Sequence, residues 1–248
     1  MSRVFFSNPR GLKLVGDFEG EEGPAAVILC HGMLSSREST KIAYLSEQLR
    51  AANMPHLRFD FSGRGESEGG PNDITYSGQM EDLQAAIDYL LARGVERVGL
   101  FGSSMGGSVA LLAAAREERV VAIGTIAAVA YPAEVEERYP VDTHRWRKEG
   151  SIELGGQLIG VSFLDDALTH DVVSAVRVIR APLWVVHGVE DATVPVSDAH
   201  DIAAAARAAS LNLVDGADHR FSNALHMRPA MKSIAEFLVR ELCVTSRS

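Results

Sequence analysis

From residue 25 onward, short and mostly apolar runs alternate with longer stretches in which apolar residues recur every three or four positions. The short runs, 25–30, 56–59, 97–101, 120–126, 182–186 and 211–214, predict strands. The longer stretches, 40–52, 77–93, 105–115, 169–176, 197–209 and 229–242, predict helices. Two further strand-like runs, 3–6 and 12–18, come first, joined by Ser7-Asn8-Pro9-Arg10-Gly11, whose Pro and Gly supply the chemistry of a hairpin turn. Strands apolar on both sides and separated by helices predict an α/β fold, a mostly parallel sheet covered on both faces. The alternation fails over 131–163, which mixes Pro, charges, aromatics and Gly155-Gly156, and this segment is expected to be an insertion over the sheet's edge.

One junction between a strand and a helix carries chemistry. Gly102-Ser103-Ser104-Met105-Gly106 lies between the run ending at Phe101 and the Ala/Leu-rich helix. This is the setting in which G-x-S-x-G acts as a nucleophile elbow. Glycines at both ends let strand and helix approach closely, while the central residue is held in a strained conformation with its side chain outermost. Ser104 is the candidate nucleophile.

A serine hydroxyl is a poor nucleophile unless a base takes its proton and a carboxylate orients that base. In an α/β-hydrolase sheet the chain order is nucleophile, acid, histidine, the last two on loops after the final strands. Here those loops read His187-Gly188-Val189-Glu190-Asp191 and Asp215-Gly216-Ala217-Asp218-His219. His219, the one histidine after the last strand, is the expected base. Among Glu190, Asp191, Asp215 and Asp218, Asp191 is the preferred acid, four residues past His187 and just before Val194-Pro195. His31 and His187 each stand immediately before a glycine and are expected to shape turns. Acyl transfer also needs donors for a developing oxyanion. The backbone N–H of Met105, at the start of the following helix, supplies one, and Met33, in the loop His31-Gly32-Met33-Leu34, is expected to supply the other. Leu34 and the insertion's Tyr139, Trp146 and Phe163 are the candidate substrate-binding side chains.

Composition narrows the class. At 248 residues and 46% hydrophobic content, with no repeat or low-complexity tract, one domain spanning 1–248 is expected. A formal charge of -9 argues against nucleic acid as a partner. Cys30 and Cys243 lie far apart, so neither a disulfide framework nor a metal site is expected, and Cys30 reads as a small buried hydrophobe. No apolar run approaches the ~20 residues needed to span a bilayer, and the start of the chain lacks a secretory pattern, so a soluble, cytoplasmic protein is expected. The glycines of Ser62-Gly63-Arg64-Gly65-Glu66-Ser67 lack the spacing of a phosphate loop, and Asp60 and Ser67 are expected to bond this loop's backbone instead.

Together these blocks resemble the α/β-hydrolase superfamily over nearly the whole chain. His31-Gly32, Arg58-Phe59-Asp60-Phe61-Ser62-Gly63-Arg64-Gly65-Glu66-Ser67, Gly102-Ser103-Ser104-Met105-Gly106-Gly107, His187-Gly188-Val189-Glu190-Asp191 and Gly216-Ala217-Asp218-His219-Arg220-Phe221 are similar to those of bacterial cinnamoyl (feruloyl) esterases. Those esterases commonly carry His and Gln where this chain has Ser103 and Met105. The resemblance implies an eight-stranded α/β-hydrolase fold with a small lid. It also implies hydrolysis of a small-molecule ester by Ser104, Asp191 and His219 without a cofactor; a homodimer is the one protein partnership considered. Acyl thioesterases and acyl-aminoacyl peptidases use the same machinery, and a catalytically silent binding module of this fold is the alternative of another class.

Overall fold

In the computed structural model, which describes residues 1–139 and 141–243, the helices and strands outside the insertion follow one another in the order the sequence alternation predicts. Pro140 of the insertion and residues 244–248 lie outside the described residues. A hairpin, β1 (Ser2–Ser7) and β2 (Lys13–Glu19), is followed by β3 (Ala25–Cys30), α1 (Thr40–Ala51), β4 (His56–Phe59), α2 (Tyr76–Leu91), β5 (Arg97–Ser103), α3 (Met105–Ala114) and β6 (Val120–Ile126). The insertion holds α4 (Val135–Arg138), α5 (Thr143–Glu149), β7 (Ser151–Leu154), β8 (Gln157–Gly160) and α6 (Ser162–Ala167). After it come α7 (Val172–Val178), β9 (Leu183–Gly188), α8 (Val196–Ala205), β10 (Ala209–Val214) and α9 (Ala224–Cys243).

Eight strands form one sheet in the order β1-β2-β4-β3-β5-β6-β9-β10, with antiparallel pairing only at β1/β2 and β2/β4. Side chains alternate across it, as the two-residue period of a strand requires. Ala26, Ile28 and Cys30 belong to the core on the face covered by α2, α3, α7 and α8, whereas Val27 and Leu29 belong to the core on the face covered by α1 and α9. Cys30 is fully buried, which raises its thiol pKa above the ordinary range. The long helix α9 lays Ile234 and Leu238 across the middle strands.

Two boundaries depart from the sequence expectation. The helix expected over 197–209 stops at Ala205, because Ala209 pairs with Leu183 and enters β10, so strand pairing overrides alanine's helical propensity. Pro229 lies inside α9 instead of starting it. The insertion also sits elsewhere than expected. Its hairpin turn brings Gly155 against Leu34, β8 packs on the turn at Pro71–Asp73, and Ser162 donates to the Asn72 carbonyl at 2.8 Å. Those partners follow β3 and β4, so the insertion covers the C-terminal ends of the strands and not a lateral edge.

The loop after β3 is fixed by His31, which is fully buried. Its Nε2 accepts the Phe61 N–H at 3.1 Å, so the proton sits on Nδ1, which donates to the Gly32 carbonyl at 2.8 Å. Beneath it Asp60 accepts N–H groups of Arg37 and Glu66 at 2.8 and 3.0 Å and pairs with the buried Arg37 guanidinium. Ser67 accepts the Val15 N–H at 2.9 Å.

Two expectations for stability follow from this packing. A Cβ at Gly106 would meet the Cys30 carbonyl at 2.7 Å and crowd that of His31, backbone atoms that cannot turn aside, whereas nothing lies within 4 Å of one at Gly23. Gly106→Ala is expected to cost at least about 1–3 kcal/mol in thermal or urea unfolding, the scale of overpacking, and Gly23→Ala about 0.5 kcal/mol or less. Equal effects would contradict the close approach. Burial, opposed by the Gly32 carbonyl and Asp60, lowers the pKa of His31 to about 4. With an unfolded value of about 6.5, the unfolded chain takes up the proton first as pH falls, so this stability is complete above pH 6.5 and lost toward pH 4. Urea unfolding should show wild type losing about 2 kcal/mol more than His31→Asn between pH 7 and 5. Parallel profiles would refute the assignment.

Candidate active site

Ser104 occupies the turn between β5 and α3 with φ +54° and ψ −125°, a region costly for a residue bearing Cβ. The surroundings hold it there. Its N–H donates to the Ile126 carbonyl at 2.9 Å, and its carbonyl accepts the Gly107 N–H at 2.8 Å. A Cβ at Gly102 would meet Gly107 Cα at 2.5 Å, so the glycine is what lets α3 pack against the strand it follows.

His219, on the loop after β10, brings Nε2 to 3.0 Å from Ser104 Oγ and Nδ1 to 2.7 Å from Asp191 Oδ2. Asp191 stands on the loop after β9. Its other oxygen, Oδ1, accepts the N–H groups of Thr193 and Val194 at 2.9 and 2.8 Å. Burial works to raise the Asp191 pKa but is outweighed by hydrogen bonds from His187, His219 and the Val194 N–H together with the His219 charge, which hold it well below the ordinary carboxylate value. An ionised carboxylate only accepts, so His219 keeps its proton on Nδ1 and faces Ser104 with the Nε2 lone pair. Of the competing acids, Asp218 accepts the Ser222 N–H at 2.8 Å and shapes its own loop, and Glu190 is exposed.

The expected oxyanion donors flank this serine. Met105 opens α3, where the first N–H groups have no helical partner. Across from it, the Gly32 carbonyl is held by His31 Nδ1 at 2.8 Å and by the Ser35 N–H at 3.1 Å. The peptide is trans, so fixing that carbonyl turns the Met33 N–H the opposite way. Neither N–H donates to another group among the described residues.

The insertion's aromatic residues divide. Trp146 is fully buried, donates from Nε1 to the Ile159 carbonyl at 3.0 Å and stacks on Phe163, with centroids 6.0 Å apart. Phe163 in turn stacks on Tyr76 of α2. This corrects the expectation for both: they form the core beneath the insertion and have no surface to offer a ligand. Leu34 is 40% exposed beside the oxyanion loop, and Tyr139 lies close enough to Asp191 to feel its charge.

Two features have no clear sequence signal. Arg138 of α4 bonds Asp198 of α8 at 2.9 Å, both buried, and Asp198 also accepts the Ala130 N–H at 2.7 Å. This ion pair ties the insertion to the body. Either residue alone reads as an ordinary helical charge, because the pairing joins positions sixty apart in sequence. Lys41 of α1 faces the acid loop, where burial lowers its pKa to about 8 against the pull of Asp191 and Asp218. Among the described residues, no group of three or more His, Cys, Asp or Glu side chains is placed to hold a metal ion, and no helix is long and apolar enough to cross a membrane.

Comparisons with known proteins agree with this architecture. The profile of a hydrolase family (Hydrolase_4) described as serine aminopeptidase, S33, matches residues 21–146, just over half of the chain. Palmitoyl-protein thioesterase ABHD10, mitochondrial, of Homo sapiens is 30% identical over 179 residues, which cover 68% of this chain and 58% of that protein. The chain thus spans under two thirds of that relative's length. Thiohydrolase aneE of Aspergillus aculeatus is 34% identical over 124 residues, 48% of this chain and 39% of that protein. The fold is shared with Est1E from Butyrivibrio proteoclasticus, solved with ferulic acid bound, at a TM-score of 0.86 and 22% identity over 96% of this chain and 99% of that one. On the breadth of the profile match and the identity to a relative across two thirds of this chain, the chain belongs to the S33 serine hydrolase family of α/β-hydrolases.

Proposed function

We propose that this protein hydrolyses carboxylic esters through an acyl-enzyme formed on Ser104. The observation that carries the proposal is the continuous hydrogen-bonded line from Ser104 Oγ through His219 to Asp191, at 3.0 and 2.7 Å. Ser104 Oγ attacks the ester carbonyl while His219 Nε2 takes its proton. The negative charge that collects on the carbonyl oxygen is met by the N–H groups of Met33 and Met105, donors already oriented before the reaction begins. Asp191 stabilises the imidazolium, which returns the proton to the departing alcohol. Water then attacks the acyl-enzyme, its proton passing to His219, and Ser104 leaves with that proton as the free acid is released.

Small to medium acyl groups, aromatic ones among them, suit this reading, with the half-exposed Leu34 beside the oxyanion loop and Tyr139 of the insertion as the side chains proposed to contact them. A second reading, thioester hydrolysis, is favoured by the relatives named as a palmitoyl-protein thioesterase and a thiohydrolase. The first step differs only in the leaving group.

Ser104→Ala is expected to lower kcat on p-nitrophenyl acetate by about 10⁶ without changing the circular dichroism spectrum. Retention of more than about a tenth of wild-type activity would rule out Ser104 as nucleophile. Asp191→Asn should lower kcat by about 10⁴, because the amide permits the wrong imidazole tautomer, while Asp218→Asn and Glu190→Gln do far less. If either of those proved the more damaging change, the acid would be misassigned. For ester against thioester, kcat/KM on oxygen and sulfur esters of one acyl group decides: the ester reading requires turnover of the oxygen ester, and hydrolysis of the thioester alone replaces it with the second.

A further inference from the structure

We infer that His187 is a positioning residue that sets the place of the Asp191 carboxylate. It ends the apolar part of β9 and is fully buried. Its Nε2 lies 2.9 Å from the Val194 carbonyl and 3.3 Å from Asp191 Oδ2. A carbonyl and an ionised carboxylate are both acceptors, so Nε2 carries a proton shared between them. Its Nδ1 has no protein partner among the described residues.

The consequence is geometric. The Val194 carbonyl is held by His187, while the Val194 N–H holds Asp191 Oδ1 at 2.8 Å, so one imidazole closes the loop 188–194 and defines where its acid stands. His187 Nε2 in turn lies 3.3 Å from Oδ2, the oxygen that receives His219 Nδ1 at 2.7 Å. Asp191 is thereby gripped on both oxygens before His219 engages it. Without the imidazole the carboxylate loses one donor, and the loop loses the tie between its two ends. Ser104, His219 and the oxyanion donors are untouched by this change. The effect should fall on the rate of the chemical step and not on substrate binding.

The test compares His187→Leu with His187→Gln, whose side-chain amide can place an N–H near the position of Nε2. On p-nitrophenyl acetate His187→Leu is expected to lower kcat by about 10- to 100-fold with KM changed by about twofold or less, the scale of one hydrogen bond to a charged group. His187→Gln should recover most of that loss. A folded His187→Leu enzyme with kcat within about threefold of wild type, or a folded His187→Gln enzyme no better than His187→Leu, would overturn the inference. Should the leucine variant not fold, nitrogen-15 spectra of the wild-type histidine rings decide: a proton on His187 Nε2 protected from exchange is required, and an unprotonated Nε2 refutes it. The inference rests on Asp191 being the acid. If Asp191→Asn is harmless, that reading has failed; if Asp191→Asn is damaging and His187→Leu is not, only the role of His187 has.

Discussion

The closeness of α3 to the ends of β3 and β5 is the constraint on which the rest of the site depends. A side chain at Gly102 or Gly106 would collide with backbone atoms, and only without one can the helix start immediately after the strand. That junction puts Ser104 into a left-handed conformation worth about 1–3 kcal/mol of local strain, held by backbone bonds to Ile126 and Gly107. In return the serine oxygen projects above the sheet, and the Met105 N–H, first in its helix, is left without an internal partner. The proposed nucleophile and one proposed oxyanion donor are thus products of a single backbone turn.

The remaining groups come from strand ends on either side, and the separations among them are kept by hydrogen bonds that leave the polar atoms few alternatives. Asp191 accepts two backbone N–H groups on one oxygen and the His219 imidazole N–H on the other, with His187 Nε2 3.3 Å away. His31 does for the opposite loop what backbone pairing does within the sheet, fixing one carbonyl so that the next N–H has a direction. Low local polarity strengthens each of these bonds and makes an unpaired group expensive, so the arrangement is rigid before any substrate arrives.

Much of this was legible in the sequence because it depends on local pattern. Apolar runs and helical periods marked the eight strands, and G-x-S-x-G marked the elbow because its glycines and serine are adjacent. The order of Ser104, Asp191 and His219 along the chain was legible for the same reason, each standing just past a strand. What periodicity could not supply was depth. Trp146 and Phe163 looked like aromatic walls, yet they face each other in a buried stack, since an aromatic residue in an irregular segment carries no period to say which way it points. The pairing of Arg138 with Asp198 was equally hidden, as was the reach of His187 toward Asp191, which needs the loop's fold to be known.

The ion pair between Arg138 and Asp198 bears on how such a protein can diversify. Deleting one member of a buried pair strands the other charge away from water, at a cost of about 3–5 kcal/mol, whereas exchanging both for apolar residues of similar size is often neutral. Asp198 belongs to the body and Arg138 to the insertion. A lineage that replaces this insertion with another must therefore change α8 in step with it or bring an equivalent cation. The cover over the strand ends is a cassette with a keyed socket, and the key is a single aspartate on the side that stays behind.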